Sequence, residues 1–402
     1  MKMTRLYVVT CLLLAALAAD WPGSVLGQQP IKIGLVQGLT GPFEVYAKQE
    51  VTGFKLGLEY ATGGKMELLG RKIEVIVEDD QLKPDVSKRL VTKLYSDDKV
   101  DLVVGTTSSA AALAILPVAQ EFKKLLIVEP AVADSITGEA WNRYIFRTGR
   151  NSGQDAIANA LAVAKPGVQI ATIAQDYAFG RDGVAAYRAA LEKLGAKIVH
   201  EEYTPRDATE FTAPIQKIIG ALKDKSGAKY VAIVWAGKGG PYAQLVASRL
   251  DKHGIAITLG GNVLDLLKAF KSYNLDGAVG GAYYYYEIPK NPVNDWLVKE
   301  HQRRFSGPPD FFTAGGFAAA MAAVTAIKKA GATDTEKLIA AMEGMEFDTP
   351  KGKMIFRKED HQALQSMYAI RMVVKPDVAW IVPTLVKELT LQETAPPILN
   401  KR

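Results

Sequence analysis

The chain is nearly free of cysteine, and this absence removes several kinds of chemistry at once. Its 402 residues include one cysteine, Cys11, inside an apolar run near the N-terminus. Disulfide bonds, thiolate metal sites and cysteine nucleophiles are therefore excluded from the remainder of the chain. The four histidines are scattered and have no partners at metal-ligand spacing. We expect neither a metal nor a cofactor.

Long blocks of a single charge are also absent. The 49 Lys and Arg and 43 Asp and Glu residues give a formal net charge of +6, with both signs spread along the chain. No basic stripe of the kind that binds nucleic acid is present. The HExxH zinc motif and the GxSxG nucleophile motif are missing as well. The sequence thus predicts neither a nucleic-acid partner nor an enzyme.

The first 27 residues have the pattern of a secretory signal peptide. Lys2 and Arg5 precede an apolar run over residues 6–19, and residues 25–27 are small or apolar, as signal peptidase requires before Gln28. The run is shorter than the ~20 residues of a comfortable membrane span. We therefore predict a signal peptide over residues 1–27 and an exported, soluble mature protein in the periplasm.

Short apolar runs rich in β-branched residues alternate with helical stretches from Ile31 to about Gly281. This alternation is typical of parallel sheets covered by helices on both faces. Nine such strands are too many for one ordinary sheet, and the series starts afresh near Thr148. The predicted strands are IKIGLVQG, KIEVIVEDD, VDLVVGTT, LLIVEPAV, QIATIAQD, KIVHEEYT, KYVAIVWAG, IAITLGG and DGAVGGAYYYY.

The last third of the chain is first helical and then strand-like. NDWLVKEHQRRF, FFTAGGFAAAMAAVTAIKKAG and DTEKLIAAMEG read as helices, the third capped by Asp334 or Thr335. Three strand-like runs follow, KMIFR, YAIRMVV and VAWIVPTLV. Two similar α/β lobes tied by several crossovers fit this order.

Loops at the carboxyl ends of the first strands could hold a ligand, since open parallel sheets bind ligands there. Ser108 and Ser109 lie at a helix start, where backbone N–H groups and hydroxyls suit a carboxylate. One of them could equally be a simple helix cap. Residues 131–133 offer free backbone groups after Pro130, and Tyr46 follows a Gly- and Pro-containing loop.

Four segments resemble successive motifs of periplasmic binding proteins that serve ABC transporters of the branched-chain amino acid type, the leucine/isoleucine/valine-binding-protein-like group. They are TGPFEVYAKQEVTGFKLGLEYATGG, EDDQLKPDVSKRLVTKLYSDDKVDLVVGTTSSA, EPAVADSITG and DYAFGRDGVAAYRAALEKLGAKIVHEEYTPRDATEF. The resemblance implies two Rossmann-like α/β lobes with parallel sheets, joined by three crossovers, that close on a small ligand. It also implies that a cognate permease in the inner membrane recognises the closed form.

On this basis we predict one lobe from residues 28–148 plus 286–356, and a second from residues 149–285 plus 357–402. We expect a monomer.

The resemblance also implies ligand contacts in the first lobe. Ser109, with Ser108 beside it, stands where the family binds the ligand carboxylate through a hydroxyl, and Tyr46 where an aromatic ring lines the pocket. Ala131 would supply a backbone group. Ala133 stands where amino acid binders usually have a threonine that contacts the ligand.

In the second lobe the departures from amino acid binders continue. Phe179 stands near their pocket tyrosine, with Tyr177 two residues earlier, and Asn262 stands where they hold the ligand ammonium with an acidic residue. Lys238 lies about where they have another tyrosine, and it would attract a carboxylate. Tyr284, within a run of four tyrosines, is a further candidate, as are Trp235, Phe311 and Phe312.

These departures favour an organic carboxylate as the ligand, with an aromatic acid such as a benzoate or cinnamate derivative preferred. An unpaired ligand ammonium in a closed cleft would cost several kcal/mol. Two alternatives remain. In a branched-chain amino acid binder, Asp265 or Glu287 would replace the missing acidic partner, and a sensor module would pass ligand occupancy to a regulator.

Overall fold

The computed structural model describes residues 29–237, 239–260 and 262–401. The predicted signal peptide and Lys238 lie outside the described residues. The chain begins with six strands that alternate with three helices: β1 (Ile31–Gln37), α1 (Glu44–Ala61), β2 (Glu67–Leu68), β3 (Arg71–Asp79), α2 (Pro84–Ser96), β4 (Leu102–Gly105), α3 (Ser109–Phe122), β5 (Leu125–Val128) and β6 (Ile145–Arg147). They form one sheet in the order β2-β3-β1-β4-β5-β6, parallel except for the β2–β3 pair.

A second alternating series follows and builds a separate parallel sheet in the order β10-β9-β7-β8. Its elements are α4 (Ser152–Val163), β7 (Gln169–Gln175), α5 (Ala178–Lys193), β8 (Lys197–Thr204), α6 (Thr212–Leu222), β9 (Lys229–Val234), α7 (Tyr242–Ala247), β10 (Ile255–Thr258), α8 (Leu264–Ser272) and β11 (Val279–Ala282).

The chain then returns to the first lobe and crosses once more to the second. The remaining elements are α9 (Pro292–Phe305), α10 (Phe311–Ala330), α11 (Thr335–Met342), β12 (Glu346–Thr349), β13 (Gly352–Phe356), β14 (Ala363–Leu364), β15 (Met367–Val373) and β16 (Val382–Leu389). Antiparallel pairing joins β12, β13 and β14 into one small sheet, and β11, β15 and β16 into another.

The predicted α/β fold of two lobes is confirmed, and all nine strands of the alternating series are present. Their β-branched and leucine residues are buried because helices cover both faces of each parallel sheet. Two features differ from the sequence prediction. The short strands β2, β6, β12 and β14 are additional. Strand β16 starts at Val382, four residues after the predicted start, because residues 376–380 form a turn.

Three segments connect the lobes and meet in space. They are residues 148–151 (the first crossover), 283–291 (the second) and 365–366 (the third). The Gln365 side-chain amide donates to the Thr148 carbonyl oxygen over 3.4 Å, and the Arg150 guanidinium lies over the Tyr283 ring at 5.1 Å. The exact lobe boundaries stay a prediction; β14, placed in the second lobe by them, pairs with β13.

Helices α1 and α10 form the closest helix pair of the first lobe. Glycines on both helices allow their backbones to touch: a Cβ atom on Gly53 would lie 2.0 Å from the Thr313 carbonyl oxygen, and one on Gly316 would lie 2.1 Å from that of Glu50.

Helix α10 is apolar and long enough to cross a membrane, but 83% of its most apolar window is buried in the protein. It is therefore a core helix here.

We predict that Gly316→Ala lowers the free energy of unfolding by about 1–3 kcal/mol, because the added methyl group forces α1 and α10 apart. Urea unfolding followed by circular dichroism measures this. Gly220→Ala is the matched control. Gly220 lies in α6, and a Cβ atom added there would meet no other atom within 4 Å, so alanine at this position should stabilise by about 0.4–1 kcal/mol. Equal effects at the two positions would contradict the close-packing account.

Candidate functional site

A cavity of about 150 Å³ lies where the carboxyl ends of second-lobe strands face the first lobe. Trp235 follows β9, Asn262 follows β10 and Tyr283 follows β11, so three strand ends contribute to one wall. The first lobe contributes Phe311 from the start of α10. Further lining residues used below are Arg150, Ser152, Asp155 and Phe179.

Phe311 and Tyr283 line the cavity and belong to a cluster of aromatic rings that extends to Phe312 and Tyr46. The Tyr46 ring packs on Phe312 with 4.3 Å between ring centroids, and Phe311 packs on Tyr283 at 4.8 Å and on Phe312 at 5.1 Å. All four side chains are buried. On the second-lobe side, the buried Trp235 indole N–H has no hydrogen-bond partner among the residues that the structure describes.

Arg150 supplies a positive charge at this wall. Its side chain is 11% exposed, and its guanidinium lies over the rings of Phe311 and Phe312 at 5.2 and 5.7 Å as well as over Tyr283. The guanidinium Nε donates to Asp155 over a long 3.3 Å. Burial raises the pKa of the Asp155 carboxyl, although Arg150 acts in the opposite direction. The cavity wall therefore carries the Arg150 cation in contact with aromatic faces, and the Asp155 carboxylate lies beside it at a long hydrogen-bond distance.

Local sequence explains how Arg150 reaches this position. The residue after it, Asn151, caps α4: its side chain accepts from the Gln154 N–H, and the Gln154 side chain accepts from the Asn151 N–H. This capping box fixes the first crossover where it enters α4. Arg150 is thereby held on the crossover instead of on a mobile surface loop.

Contacts between the lobes close the cleft around the cavity. The Tyr46 hydroxyl on α1 accepts a hydrogen bond from the Gly237 N–H over 2.9 Å. Asp182 on α5 accepts from the backbone N–H and the hydroxyl of Ser135, over 2.9 and 2.8 Å. Asp310, just before α10, accepts from the Leu264 N–H at the start of α8. The described structure is thus a closed arrangement.

Four of the first-lobe residues predicted from sequence lie after the ends of β4 and β5, beside the cavity and not in its lining: Ser108, Ser109, Ala131 and Ala133. The fifth, Tyr46 on α1, does not line the cavity either. Ser108 occupies the cap position of α3, yet its hydroxyl makes no cap bond and is buried without a partner in the described part of the chain. The Ser109 hydroxyl accepts from the Ala133 N–H over 3.2 Å, and the Ala131 residue is 2% exposed. Ser152, which does line the cavity, connects to these first-lobe residues.

That connection is a hydrogen bond from the Ser152 hydroxyl to the Val132 carbonyl oxygen, 3.0 Å long. The Ala133 carbonyl oxygen accepts from Arg147 over 2.7 Å, so it is already occupied. Three of the backbone groups of residues 131–133 are therefore used within the protein: the Val132 carbonyl oxygen and both the N–H and the carbonyl oxygen of Ala133.

The predicted second-lobe residues have mixed positions. Phe179 and Asn262 line the cavity, while the Tyr177 ring lies next to Phe179 and under the Arg206 guanidinium at 4.5 Å. Lys238 lies outside the described residues. Tyr284 is 2% exposed and donates to Asn294 over 2.8 Å, away from the cavity.

The neighbour of Tyr284 in sequence, Tyr283, faces the cavity because successive side chains of an extended segment point to opposite sides.

The sequence prediction also did not include Arg150 and Asp155. The segment TGRNSGQD carried a usable signal, since it lies where the first lobe ends and the next helix begins. Asp265 and Glu287, considered as ammonium partners, do not line this cavity: both are exposed, and Asp265 pairs with Lys268.

Three buried ionisable side chains and one amide lie together behind Tyr283, where the crossovers meet. We call this group the hinge cluster and define it as Glu50, Glu129, Lys351 and Gln365. The Lys351 ammonium lies 3.7 Å from the centroid of the Tyr283 ring and donates to the Gln365 side chain. Glu129 accepts from the Thr148 hydroxyl over 2.8 Å. One carboxylate oxygen each of Glu50 and Glu129 has no hydrogen-bond partner within the described residues.

Burial dominates the acid–base behaviour of the hinge cluster. It raises the pKa of the Glu50 carboxyl well above its usual range, and the nearby Glu129 charge adds to this. It raises the pKa of Glu129 as well, against the opposing effect of Lys351. Burial lowers the pKa of the Lys351 ammonium to about 7. The cluster therefore holds its charges only through mutual compensation.

Comparison with known proteins gives the family. Residues 30–376 match a family model described as periplasmic binding protein. "Leu/Ile/Val-binding protein homolog 6" of Brucella abortus is 24% identical over 368 residues, which cover 86% of this chain and 88% of the relative. The chain therefore belongs to the periplasmic binding protein family.

Solved structures agree with this. A protein from Rhodopseudomonas palustris described as an ABC-type branched-chain amino acid transporter is 63% identical, with a TM-score of 0.83, over 92% of this chain and 100% of its own. A solute-binding protein of an ABC transporter from R. palustris BisB5, in complex with 3,4-dihydroxybenzoic acid, is 29% identical, with a TM-score of 0.77, over 90% and 98%. The chain is a substrate-binding component of an ABC transporter.

The hinge cluster makes one substitution informative. Lys351→Met should lower the free energy of unfolding at pH 7 by about 3–5 kcal/mol, because it removes one of the two cations, Lys351 and Arg150, that stabilise the buried carboxylates of Glu50 and Glu129. The pKa values of both carboxyls are raised in the folded protein, so protonation from about neutral pH downward favours the folded state. The deficit should therefore shrink as the pH falls from 7 to 5.

Denaturant unfolding at several pH values checks this, with Lys353→Met as the control. Lys353 lies on the same hairpin but pairs with Glu346 at the exposed surface, so its replacement should change stability by less than about 0.5 kcal/mol. A deficit for Lys351→Met that is equally large at pH 5 and pH 7 would contradict the charge-compensation account.

Proposed function

We propose that this member of the periplasmic binding protein family captures a small organic carboxylate between its lobes, with an aromatic acid of the benzoate or cinnamate type favoured. The lobes close on the ligand, and a cognate permease in the inner membrane receives it from the closed form. The protein would act in the periplasm as a monomer. The observation that carries the proposal is the position of Arg150 in the cavity.

Arg150 has the properties of a carboxylate anchor. A guanidinium has five N–H donors in a planar fork that matches a carboxylate, and among the described residues Arg150 donates one of them, to Asp155. The surrounding rings exclude water, which strengthens a charge-assisted hydrogen bond. An acid whose carboxylate meets Arg150 would place its apolar body against Phe179, Trp235 and Phe311.

The residues at the first-lobe strand ends provide a second set of proposed contacts. The buried Ser108 hydroxyl lacks a partner among the described residues, and a ligand oxygen would satisfy it. Ser109 and Ala131 would hold the same end of the ligand through a hydroxyl and backbone groups. The predicted backbone contact of Ala133 is dropped, because its N–H and its carbonyl oxygen are both used within the protein. Tyr46 would act by closing the cleft over the ligand.

In the second lobe, Phe179, Asn262, Tyr177 and Lys238 stay proposed ligand contacts. For Tyr284 we substitute Tyr283, because Tyr283 lines the cavity and Tyr284 does not.

The same-family relative in complex with 3,4-dihydroxybenzoic acid supports an aromatic acid as the ligand. One observation favours the alternative of a branched-chain amino acid. Asp155 lines the cavity next to Arg150, so the pair could meet both the ammonium and the carboxylate of a zwitterion. The 63% identical relative is described as a branched-chain amino acid transporter. A ligand-sensing role has no such observation in its favour.

Binding measurements decide between these ligands. We expect calorimetry on the unliganded mature protein to show binding of benzoate or cinnamate and weaker binding of leucine. Arg150→Gln should weaken binding of the aromatic acid by about 2 kcal/mol or more, which is roughly 30-fold, because the ligand carboxylate loses its buried cation. Arg143→Gln is the control, since Arg143 is exposed and pairs with Glu336 outside the cleft.

Two outcomes would count against the proposal. Tight leucine binding with no response to aromatic acids would establish the amino acid alternative. Unchanged aromatic-acid affinity in Arg150→Gln would show that the carboxylate is held elsewhere, and Ser108→Ala and Ser109→Ala would then be compared in the same assay.

A further inference from the structure

Asp310 joins two helices that belong to different lobes. It precedes the first-lobe helix α10 and accepts from that helix's first N–H, Phe311, over 2.7 Å. Both of its oxygens also accept from the N–H of Leu264, the first residue of α8, at 3.1 and 3.0 Å. The Gln49 side-chain amide on α1 donates to it over 2.8 Å. The Asp310 carboxyl thus accepts hydrogen bonds from three N–H donors that lie on three different helices, α10, α8 and α1.

Helix α8 depends on this contact for its N-terminal cap. The residue at its own cap position, Val263, has no side chain able to accept a hydrogen bond. The first N–H groups of a helix have no partner within the helix, so they require an external acceptor or water. In the closed arrangement this acceptor comes from the other lobe.

The contact lies at the edge of the proposed ligand cavity. Asn262, two residues before Leu264, lines the cavity, and so does Phe311, which follows Asp310. A separation of the lobes would withdraw α8 from Asp310 and expose the Leu264 N–H to water. Closure would bring them together again, along with Tyr46 and Gly237.

We propose that Asp310 is a positioning residue for ligand capture: its carboxyl oxygens cap α8 from across the cleft and thereby stabilise the closed, ligand-holding arrangement of the lobes. The inference rests on the proposed function in one respect, because it presupposes that the lobes close on a ligand. It goes beyond that function by assigning closure to a residue that need not touch the ligand.

Acceptor oxygens, and not the negative charge, are what this contact requires. Burial raises the pKa of the Asp310 carboxyl to about 6, despite the hydrogen bonds that it accepts. The titratable groups that act on it or respond to it are Asp265 on α8, Tyr46 on α1 and Tyr284 on the second crossover. None of these three is a cation, so the ionised form of Asp310 is stabilised by the hydrogen bonds that it accepts from Phe311, Leu264 and Gln49.

The main test is Asp310→Ala, assayed with whichever of benzoate, cinnamate and leucine binds the wild-type protein most tightly. We expect the affinity to fall about five- to tenfold, mainly through faster dissociation, because the Leu264 N–H loses its acceptor only in the closed state. Asp334→Ala is the matched control. Asp334 caps α11 within the first lobe by accepting from the Lys337 N–H, so its loss should lower stability but leave affinity unchanged.

A second variant tests whether the contact requires the acceptor oxygen of Asp310 or its negative charge. Asp310→Asn keeps one acceptor oxygen, so we expect its affinity at pH 7 to lie within about threefold of wild type. Burial raises the pKa of the Asp310 carboxyl to about 6, so at pH 7 the wild-type group is mostly ionised. Asp310→Asn therefore places an uncharged acceptor at the same position.

Small-angle X-ray scattering distinguishes failure of this inference from failure of the proposed function. If the wild type binds none of the probes and its radius of gyration never decreases, the proposed function is wrong. If the wild type binds and contracts while Asp310→Ala does so with the same affinity and dissociation rate, Asp310 is an ordinary helix cap and only the inference is overturned.

Discussion

Mutual compensation of buried charges at the crossing point of the lobes is the constraint on which the cleft depends. Glu50, Glu129 and Lys351 come from three distant parts of the chain and lie together behind Tyr283. An unpaired charge in such a place would be strongly destabilising, so each group requires the others to be present. Lys351 of this cluster packs on the Tyr283 ring, and Arg150 packs on the same ring, so the cluster supports the inner wall of the cavity.

Helix α1 connects the hinge cluster with the contacts at the mouth of the cleft. Tyr46 and Glu50 are four residues apart and so share one face of the helix. Glu50 reaches the hinge cluster, while Tyr46 packs on Phe312 and accepts from Gly237 of the other lobe. The glycine contacts between α1 and α10 hold the two helices at one separation. The hinge cluster and the closing contact to Gly237 are therefore both connected to this one helix pair.

The fold could be predicted well from the sequence, because the patterns that mark strands and helix ends lie within short stretches of the chain. Alternating apolar runs located nine strands, and Asp334 marked the start of α11, where its side chain accepts from Lys337. The site was predicted less completely. The aromatic candidates Phe179 and Trp235 do line the cavity, but Arg150 and Asp155 were missed. The segment that contains them marks the boundary between the lobes, yet nothing in it distinguishes a buried arginine from a solvated one. The hinge cluster joins residues about 300 positions apart, such as Glu50 and Lys351, and only the folded topology brings them together.

The charge balance of the cavity bears on the choice of ligand. Arg150 and Asp155 are of opposite sign and are joined by a single bond of 3.3 Å, which is long for a charge-assisted pair. A zwitterion would leave the sum of charges unchanged, whereas a simple carboxylate would add one negative charge to a buried site. Burial already raises the pKa of Asp155, so protonation of that carboxyl is the least costly way to admit the extra anion. A carboxylate ligand and a proton would then enter the closed cleft together, while an amino acid would enter alone.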